Sequence, residues 1–379
     1  MDFQLSEEQL MVRQTAREFA EKEIKPRAAE FDATGEFPTE IIQKLAKLNF
    51  LGITIPEQYG GGGLDDISYV IVIEEISRAC ASTGVILSVN NSLVCEPILK
   101  YGTDAQKKKY LPDLASGKKL GCFALTEPEA GSDASNLKTT AILKGDHYIL
   151  NGNKQFITNG REAEVALLFA MTDKSKGYKG ISAFIVERGF PGYSIGKVHQ
   201  KLGINAAGQC ELYFEDCVVP KENLLGEEGG GFKLAMATLD GGRMGIAAQA
   251  VGIAQACLDE CLKYSKERVQ FGQPIAKFQA IQWMLADMAT EIEAARLLTY
   301  RTAFLRNKGK RFTAEAAMAK LFASETAMKA TTKGIQIHGG YGYMKEYPME
   351  RFFRDAKITE IYEGTNEIQR LVIASNILR

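Results

Sequence analysis

The stretch Ala356-Lys357-Ile358-Thr359-Glu360-Ile361-Tyr362-Glu363-Gly364-Thr365-Asn366-Glu367-Ile368-Gln369-Arg370 decides how the chain is read. It sets one carboxylate, Glu363, in a Glu-Gly-Thr turn just ahead of a helix. A glycine behind the carboxylate lets a ligand approach the backbone. Thr365 is a natural N-cap, and Ile368, Leu371, Val372 and Leu378 form an apolar stripe at helical spacing. A carboxylate held rigidly at a pocket edge is what a general base requires. Taken alone, the same residues read more simply as an ordinary helix-start turn. The rest of the chain reverses that.

The chain has 379 residues, more than one small core organises, so two or three domains are expected. Hydrophobic residues make up 45%, charged residues 25%, and the formal net charge is −1. That balance exerts no overall pull toward nucleic acid or membrane. Residues 1–8 are acidic and lack the apolar core of a secretory signal. The apolar run 244–257 carries Gln249 and Gln255 and is too short to span a bilayer. Seven scattered cysteines without a Cys-x-x-Cys pair point to reduced thiols and a cytoplasmic setting. His147, His199 and His338 have no second histidine at ligand spacing, so no metal site is expected. A serine hydrolase would need a Gly-x-Ser-x-Gly elbow, which is missing.

Three zones follow one another. Residues 1–117 read as helical: Ser6-Glu7-Glu8-Gln9 is a capping box, and Val12, Ala16, Phe19, Ala20 and Ile24 recur at helical spacing. Pro26 should kink or end that helix. Further helices are expected over 39–51, 65–80 and 83–101, and the last should be largely buried because Glu96 is its only internal charge. Residues 118–228 change to short β-rich runs separated by Gly145-Asp146, Asn151-Gly152 and Asn159-Gly160, which favours antiparallel β-structure. Residues 229–379 return to helices over 232–266, 277–308 and 313–337, lengths that suit an antiparallel bundle.

A nicotinamide site of the doubly wound type would need Gly-x-Gly-x-x-Gly between a strand and a helix. Gly339-Gly340-Tyr341-Gly342 follows a helix instead, and residues 226–231 lead into Phe232-Lys233 rather than a phosphate-loop Gly-Lys-Ser/Thr. Two β-zone motifs remain: Leu125-Thr126-Glu127-Pro128-Glu129-Ala130-Gly131-Ser132-Asp133, dense in hydroxyls and backbone donors, and Lys154-Gln155-Phe156-Ile157-Thr158-Asn159-Gly160, an aromatic face beside a hydroxyl. The helical zone adds Leu239-Asp240-Gly241-Gly242-Arg243, Arg268-Val269-Gln270-Phe271-Gly272 and Gln336-Ile337-His338-Gly339-Gly340. Singly, each reads as a turn, a cap or an ion pair.

Together, in this order and spacing, they closely resemble the acyl-CoA dehydrogenases over essentially the whole chain, with overall similarity to the short-chain, butyryl-CoA type. The resemblance implies an α+β multidomain fold: an N-terminal all-α domain (1–117), a central antiparallel β-barrel or sandwich (118–228) and a C-terminal four-helix bundle (229–379). It implies FAD as cofactor, an acyl-CoA substrate, oxidation to the trans-2-enoyl-CoA, an electron-transfer flavoprotein as acceptor, and a homotetramer built as a dimer of dimers. Carried over by position, Glu363 is the base. Some branches place the base one residue before the arginine of the Asp-x-x-Arg motif, but here that position is Gly242. Phe123, Leu125, Thr126 and Ser132 correspond to the flavin edge and pyrophosphate loop, Ser132 also to the CoA arm. Phe156, Ile157 and Thr158 correspond to the flavin-packing strand, where many members have tryptophan in place of Phe156. Arg268, Gln279, Gln336, Ile337, His338, Gly339 and Gly340 correspond to contacts from a neighbouring subunit to the same FAD, and Thr365, Asn366 and Glu367 to adenylate contacts. Asp240, Arg243 and Gly364 correspond to substrate contacts.

The resemblance also frames the open choices. Residues 83–99 should line the acyl pocket and carry no lysine or arginine for a glutaryl carboxylate, whose users place an arginine near Gly84. Branched, cyclic or medium acyl groups, an acyl-CoA oxidase, and a non-enzymatic scaffold that binds FAD and CoA are the alternatives. A buried Glu363 should have its pKa raised by desolvation, while the helix N-terminus beside it should oppose the rise.

Overall fold

The computed structural model describes residues 4–378. Ser6 caps α1 (Glu7–Phe19) as expected, its hydroxyl accepting from the Gln9 N–H while the Gln9 side chain accepts from the Ser6 N–H. Pro26 breaks the helical run, as expected. A π-helical segment (Ala20–Ile24) and a 3₁₀ turn (Lys25–Arg27) absorb it, and α2 (Ala28–Thr34) follows. Proline lacks an N–H, so it is tolerated where a new turn begins. Helix α3 (Thr39–Lys47) ends earlier than expected. Helices α4 (Asp66–Ala79), α5 (Ala81–Ser88) and α6 (Glu96–Tyr101) follow, with a π-helical segment (Val89–Cys95) joining the last two. Residues 81–95 are buried throughout, as their lack of charge implied. Helix α7 (Asp104–Ala115), which the periodicity did not single out, has its own capping box from Thr103 and Gln106.

The central zone holds β1 (Gly121–Ala124), β2 (Thr140–Lys144), β3 (His147–Thr158), β4 (Val165–Met171), β5 (Ile181–Glu187), β6 (Tyr193–Val198), β7 (Gln209–Pro220) and β8 (Leu224–Leu225). The sheet order is β6-β7-β3-β2-β4-β5-β8, with β1 beside β4. Most pairs are antiparallel, but β1 and β2 each run parallel to β4, with Gly121 opposite Val165 and Thr140 opposite Met171. The excursion through β2 and β3 supplies the long crossover that a parallel β1–β4 pair needs.

Helix α8 (Gly231–Glu267) then leads through the small hairpin β9 (Val269–Gln270) and β10 (Gln273–Pro274) to α9 (Gln279–Asn307) and α10 (Thr313–His338). Two shorter helices, α11 (Met349–Lys357) and α12 (Asn366–Ile377), close the chain. One hydrophobic core joins the N-terminal helices to α8, α9 and α10, a second lies under the helix–sheet junction, and a third fills the sheet. The expected apolar stripe on α12 is not what anchors it. Leu371 and Leu378 are 65% and 84% exposed, whereas the polar Asn366 and Gln369 are buried. No helix among the described residues is long and apolar enough to cross a membrane, and none of their His, Cys, Asp and Glu groups could hold a metal.

Candidate active site

Glu363 sits at a positive φ of 54°, followed by Gly364 at 95°. A non-glycine residue there costs on the order of 1–3 kcal/mol and persists only where its surroundings impose it. Here they do. Gln369 Nε2 donates to Glu363 O at 3.1 Å and to Gly364 O at 2.8 Å, Arg243 Nε donates to Glu363 O at 3.4 Å, and Lys320 Nζ donates to Gly364 O at 2.8 Å. Thr365 caps α12 as expected, its hydroxyl accepting from the Ile368 N–H at 3.3 Å. A Cβ on Gly364 would lie 2.7 Å from Gln369 Nε2, so backbone geometry also calls for glycine here.

The Glu363 side chain is half-buried as a whole, but its Oε2 is enclosed and has no hydrogen-bond partner among the described residues. It fits against Gly242 of α8, where a Cβ would come within 2.8 Å of Glu363 Cδ and of Leu93 Cδ2. Burial pushes the Glu363 carboxyl up to about 8, against the pull of Arg243 and Lys320. Desolvation, expected to raise it, is the largest cause of the shift. Three residues further along α8, a Cβ on Gly245 would collide with Tyr69 Oη and Ser88 Oγ, which are themselves 3.0 Å apart.

Asp240 and Arg243 stand one turn apart on α8 and pair at 2.8 Å, and Thr313 Oγ1 donates to Asp240 Oδ2 at 2.7 Å. Asp240 and Thr313 open onto a cavity of about 270 Å³ that also includes Thr238, Glu96 and Arg306. Glu96 opens α6 and lines this cavity. It is ion-paired with Arg306, which also reaches Asp66 at 3.5 Å.

In the β-zone, the two expected motifs meet: the Gln155 N–H donates to Thr126 O at 2.8 Å. Lys154 is fully buried, donating to Glu127 Oε1 at 2.7 Å and Leu125 O at 3.2 Å, and Glu127 in turn accepts from the Thr139 N–H. Phe156 has φ 59° and is 55% exposed, beside buried Ile157 and half-buried Thr158. Phe123 packs its ring 5.0 Å from Phe169, and Ser132 lies exposed in the turn beyond.

Arg268, Ile337, His338, Gly339 and Gly340 line one cavity of about 560 Å³. His338 is buried and stacks 4.1 Å from Tyr264, and Arg268 lies 5.3 Å from the Tyr341 ring. Gln336 is exposed at the adjoining helix end, and Gln279 is exposed at the start of α9, outside the lining. Glu367 is exposed and Asn366 buried behind the Glu363 turn. A Cβ at Gly131, Gly339 or Gly340 would meet nothing within 4 Å, so these turns offer bare backbone to open space. Bare backbone beside an exposed aromatic ring in the β-zone, and bare backbone beside an arginine at the end of α10, are two separate groups, each suited to part of a flavin carrying a diphosphate.

Sequence reasoning missed Lys320, Lys154, Gln369 and Arg306. Two had a signal. Lys320 is the sole charge in residues 316–323, and Lys154 stands in the inward phase of β3 with Tyr148 and Leu150.

Three family models match the chain: the acyl-CoA dehydrogenase N-terminal domain over residues 6–118, the middle domain over 122–217 and the C-terminal domain over 229–378. A short-chain specific acyl-CoA dehydrogenase of Clostridium acetobutylicum is 56% identical over 379 residues, 100% of both chains. Butyryl-CoA dehydrogenase from Megasphaera elsdenii superposes with a TM-score of 0.98 at 51% identity, covering 100% of each chain. A chain from a structural study of the electron transferring flavoprotein of Acidaminococcus fermentans gives a TM-score of 0.99 at 56% identity, again over 100% of each.

Proposed function

The chain belongs to the acyl-CoA dehydrogenase family, and on that footing we propose that Glu363 is its catalytic base and a short straight-chain acyl-CoA its substrate. The protein is an FAD-dependent oxidoreductase that converts an acyl-CoA thioester to the trans-2-enoyl-CoA. The observation that carries the assignment of the base is the enclosed, unpartnered Glu363 Oε2 filling the space that Gly242 leaves. A carboxylate stripped of water and partners is a stronger base than one in solution. The Glu363 N–H, on the same rigid turn, would donate to the thioester oxygen as enolate character develops. The bound flavin supplies the acceptor for the β-hydride.

The remaining roles are assigned on the same footing. Phe123, Leu125, Thr126, Ser132, Phe156, Ile157 and Thr158 hold the flavin of their own protomer. The buried Glu127–Lys154 pair supports this by tying the first loop to β3. Arg268, Gln279 and residues 336–340 serve the flavin of a second copy, Thr365, Asn366 and Glu367 contact the flavin adenylate, and Asp240, Arg243, Gly364 and Ser132 hold the substrate, Ser132 at its CoA arm. A second copy suits the bare apolar surface at Phe271 (94% exposed), Trp283 (64%) and the outward stripe of α12. A dimer of dimers, three domains over 1–117, 118–228 and 229–379, an electron-transfer flavoprotein as acceptor and a cytoplasmic setting complete the reading. The seven free, buried cysteines suit a reducing compartment.

Two packings favour a small acyl group. A Cβ on Gly84 would lie 3.0 Å from Ser77 Cβ and closer still to its hydroxyl, which leaves no room there for a carboxylate-binding arginine. Along α8, Tyr69 and Ser88 close in three residues beyond Gly242, about 4.5 Å at the helical rise. The test is kcat/KM for butyryl-, hexanoyl-, octanoyl- and glutaryl-CoA with a dye acceptor. Butyryl-CoA should lead, and an octanoyl-CoA or glutaryl-CoA optimum would overturn the short-chain assignment.

A further inference from the structure

Phe156 owes its outward face to a double irregularity in the sheet. Strand β3 pairs with β7 through Lys154 opposite Leu212 and Ile157 opposite Cys210, so Gln155 and Phe156 together face the single residue Glu211. On the other side of β7, Ile195 pairs with Leu212 and Val198 with Cys210, so Gly196 and Lys197 also face Glu211. Two bulges thus flank one residue, and a bulge bends its strand and re-aims a side chain. At this bulge Phe156 takes φ 59° and stays 55% exposed. Such a backbone persists only where its surroundings hold it. His199, just past the end of β6, reaches each part of the irregularity. Its N–H donates to Gln209 O at 2.9 Å, which ties it to β7. Its ring lies 5.3 Å from the Phe156 ring, tilted by 52°. Its Nε2 is hydrogen-bonded to Gln155 Nε2 at 3.3 Å and stands 3.9 Å from Glu211 Oε1. Glu211 is fixed in turn: Tyr213 Oη donates to its Oε2 at 2.6 Å and the Lys197 N–H at 3.4 Å. The His199 side chain is 15% exposed, so it is wedged among these groups rather than solvated. Gln209 Nε2 donates to Phe156 O at 3.2 Å, so the backbone and the ring of Phe156 are held by different residues.

Accepting Phe156 as the flavin-packing ring proposed above, we infer that His199 is its positioning residue: the imidazole ties the Gln155–Phe156 bulge to Glu211 and sets the tilt of the ring that the flavin meets. His199 acts through Phe156 rather than on the flavin. Tilted ring pairs at this spacing attract beyond the area they bury. A ring already held in place spares the flavin the cost of ordering it on binding. A merely structural histidine would support the sheet without changing what the flavin senses.

The test is a double-substitution cycle over wild type, Phe156→Ala, His199→Ala and the two together. It reads the FAD dissociation constant and the visible circular dichroism of the bound flavin. His199→Ala is expected to weaken FAD binding about tenfold and to alter the flavin dichroism in the same sense as Phe156→Ala. Once Phe156 is gone, removing His199 should add nothing, because coupled residues are not additive. If His199→Ala does not fold, Gln155→Ala releases the imidazole from the bulge and carries the same expectation. Additive effects, or wild-type affinity and dichroism in the folded variant, overturn the inference and leave Phe156 as the flavin-packing ring. Wild-type affinity and dichroism in Phe156→Ala overturn that reading and this inference with it.

Discussion

Gly242 and Glu363 are fitted to each other: a Cβ on Gly242 would fall 2.8 Å from Glu363 Cδ and closer still to its Oε2. The glycine that cannot serve as a base is the one that makes room for the base on the facing turn. Gly242→Ala should therefore displace the carboxylate while leaving the flavin loops untouched. The expected loss in kcat is on the order of a hundredfold, as a misplacement of about 1 Å can bring. Rapid-reaction flavin reduction checks it, and a variant that reduces its flavin at the wild-type rate would show that the contact is slack.

The pH dependence follows from the same group. Glu363 acts only as the carboxylate, and burial pushes it from 4.5 up to about 8. The rate of flavin reduction should climb as pH rises through about 8 and level off above it. Stability runs the other way. The folded carboxyl holds a proton that the unfolded one releases, so this contribution is complete below the unfolded value of 4.5 and is lost as pH rises through about 8. Glu363→Gln removes the trend, so the Tm of the variant should gain on wild type as pH rises across that window. Parallel Tm curves would refute the burial argument.

The Glu127–Lys154 pair is 4% and 0% exposed. Removing one partner strands the other charge, which costs about 3–5 kcal/mol. Glu127→Gln should lower the thermal midpoint by several degrees and weaken FAD retention, because the loop from Leu125 to Ala130 loses its charged tie to β3. The double substitution Glu127→Leu with Lys154→Met should lose less than the single one. Scanning calorimetry with flavin release checks both.

Tyr69 closes on Ser88 and Gly245 just beyond Glu363. Tyr69→Ala should open that space, raising kcat/KM for hexanoyl-CoA relative to butyryl-CoA about tenfold. Loss of the buried ring should cost about 3 kcal/mol of stability. An unchanged chain-length ratio in the folded variant would place the end of the acyl pocket elsewhere.

What the sequence made legible is local chemistry. Ser6 and Thr365 cap because their hydroxyls reach N–H groups three residues away, a relation written in spacing alone. The Glu363 turn and the buried stretch before Lys100, with Glu96 as its one charge, are legible for the same reason. The apolar stripe of α12 misled because periodicity marks a face without saying what covers it, and Gln369 and Asn366 turned inward instead. Glu96 found Arg306, 210 positions away, and Lys320 found Gly364, and no local rule reaches that far. The positive φ of Phe156 and Glu363 was equally hidden, since neither residue type advertises it.

The central claim is tested most directly by anaerobic titration of the FAD-loaded protein with butyryl-CoA, wild type beside Glu363→Gln, following the flavin absorbance. The wild-type flavin band should bleach, and the variant should bind the thioester without bleaching. A variant that bleaches like wild type would contradict Glu363 as the base.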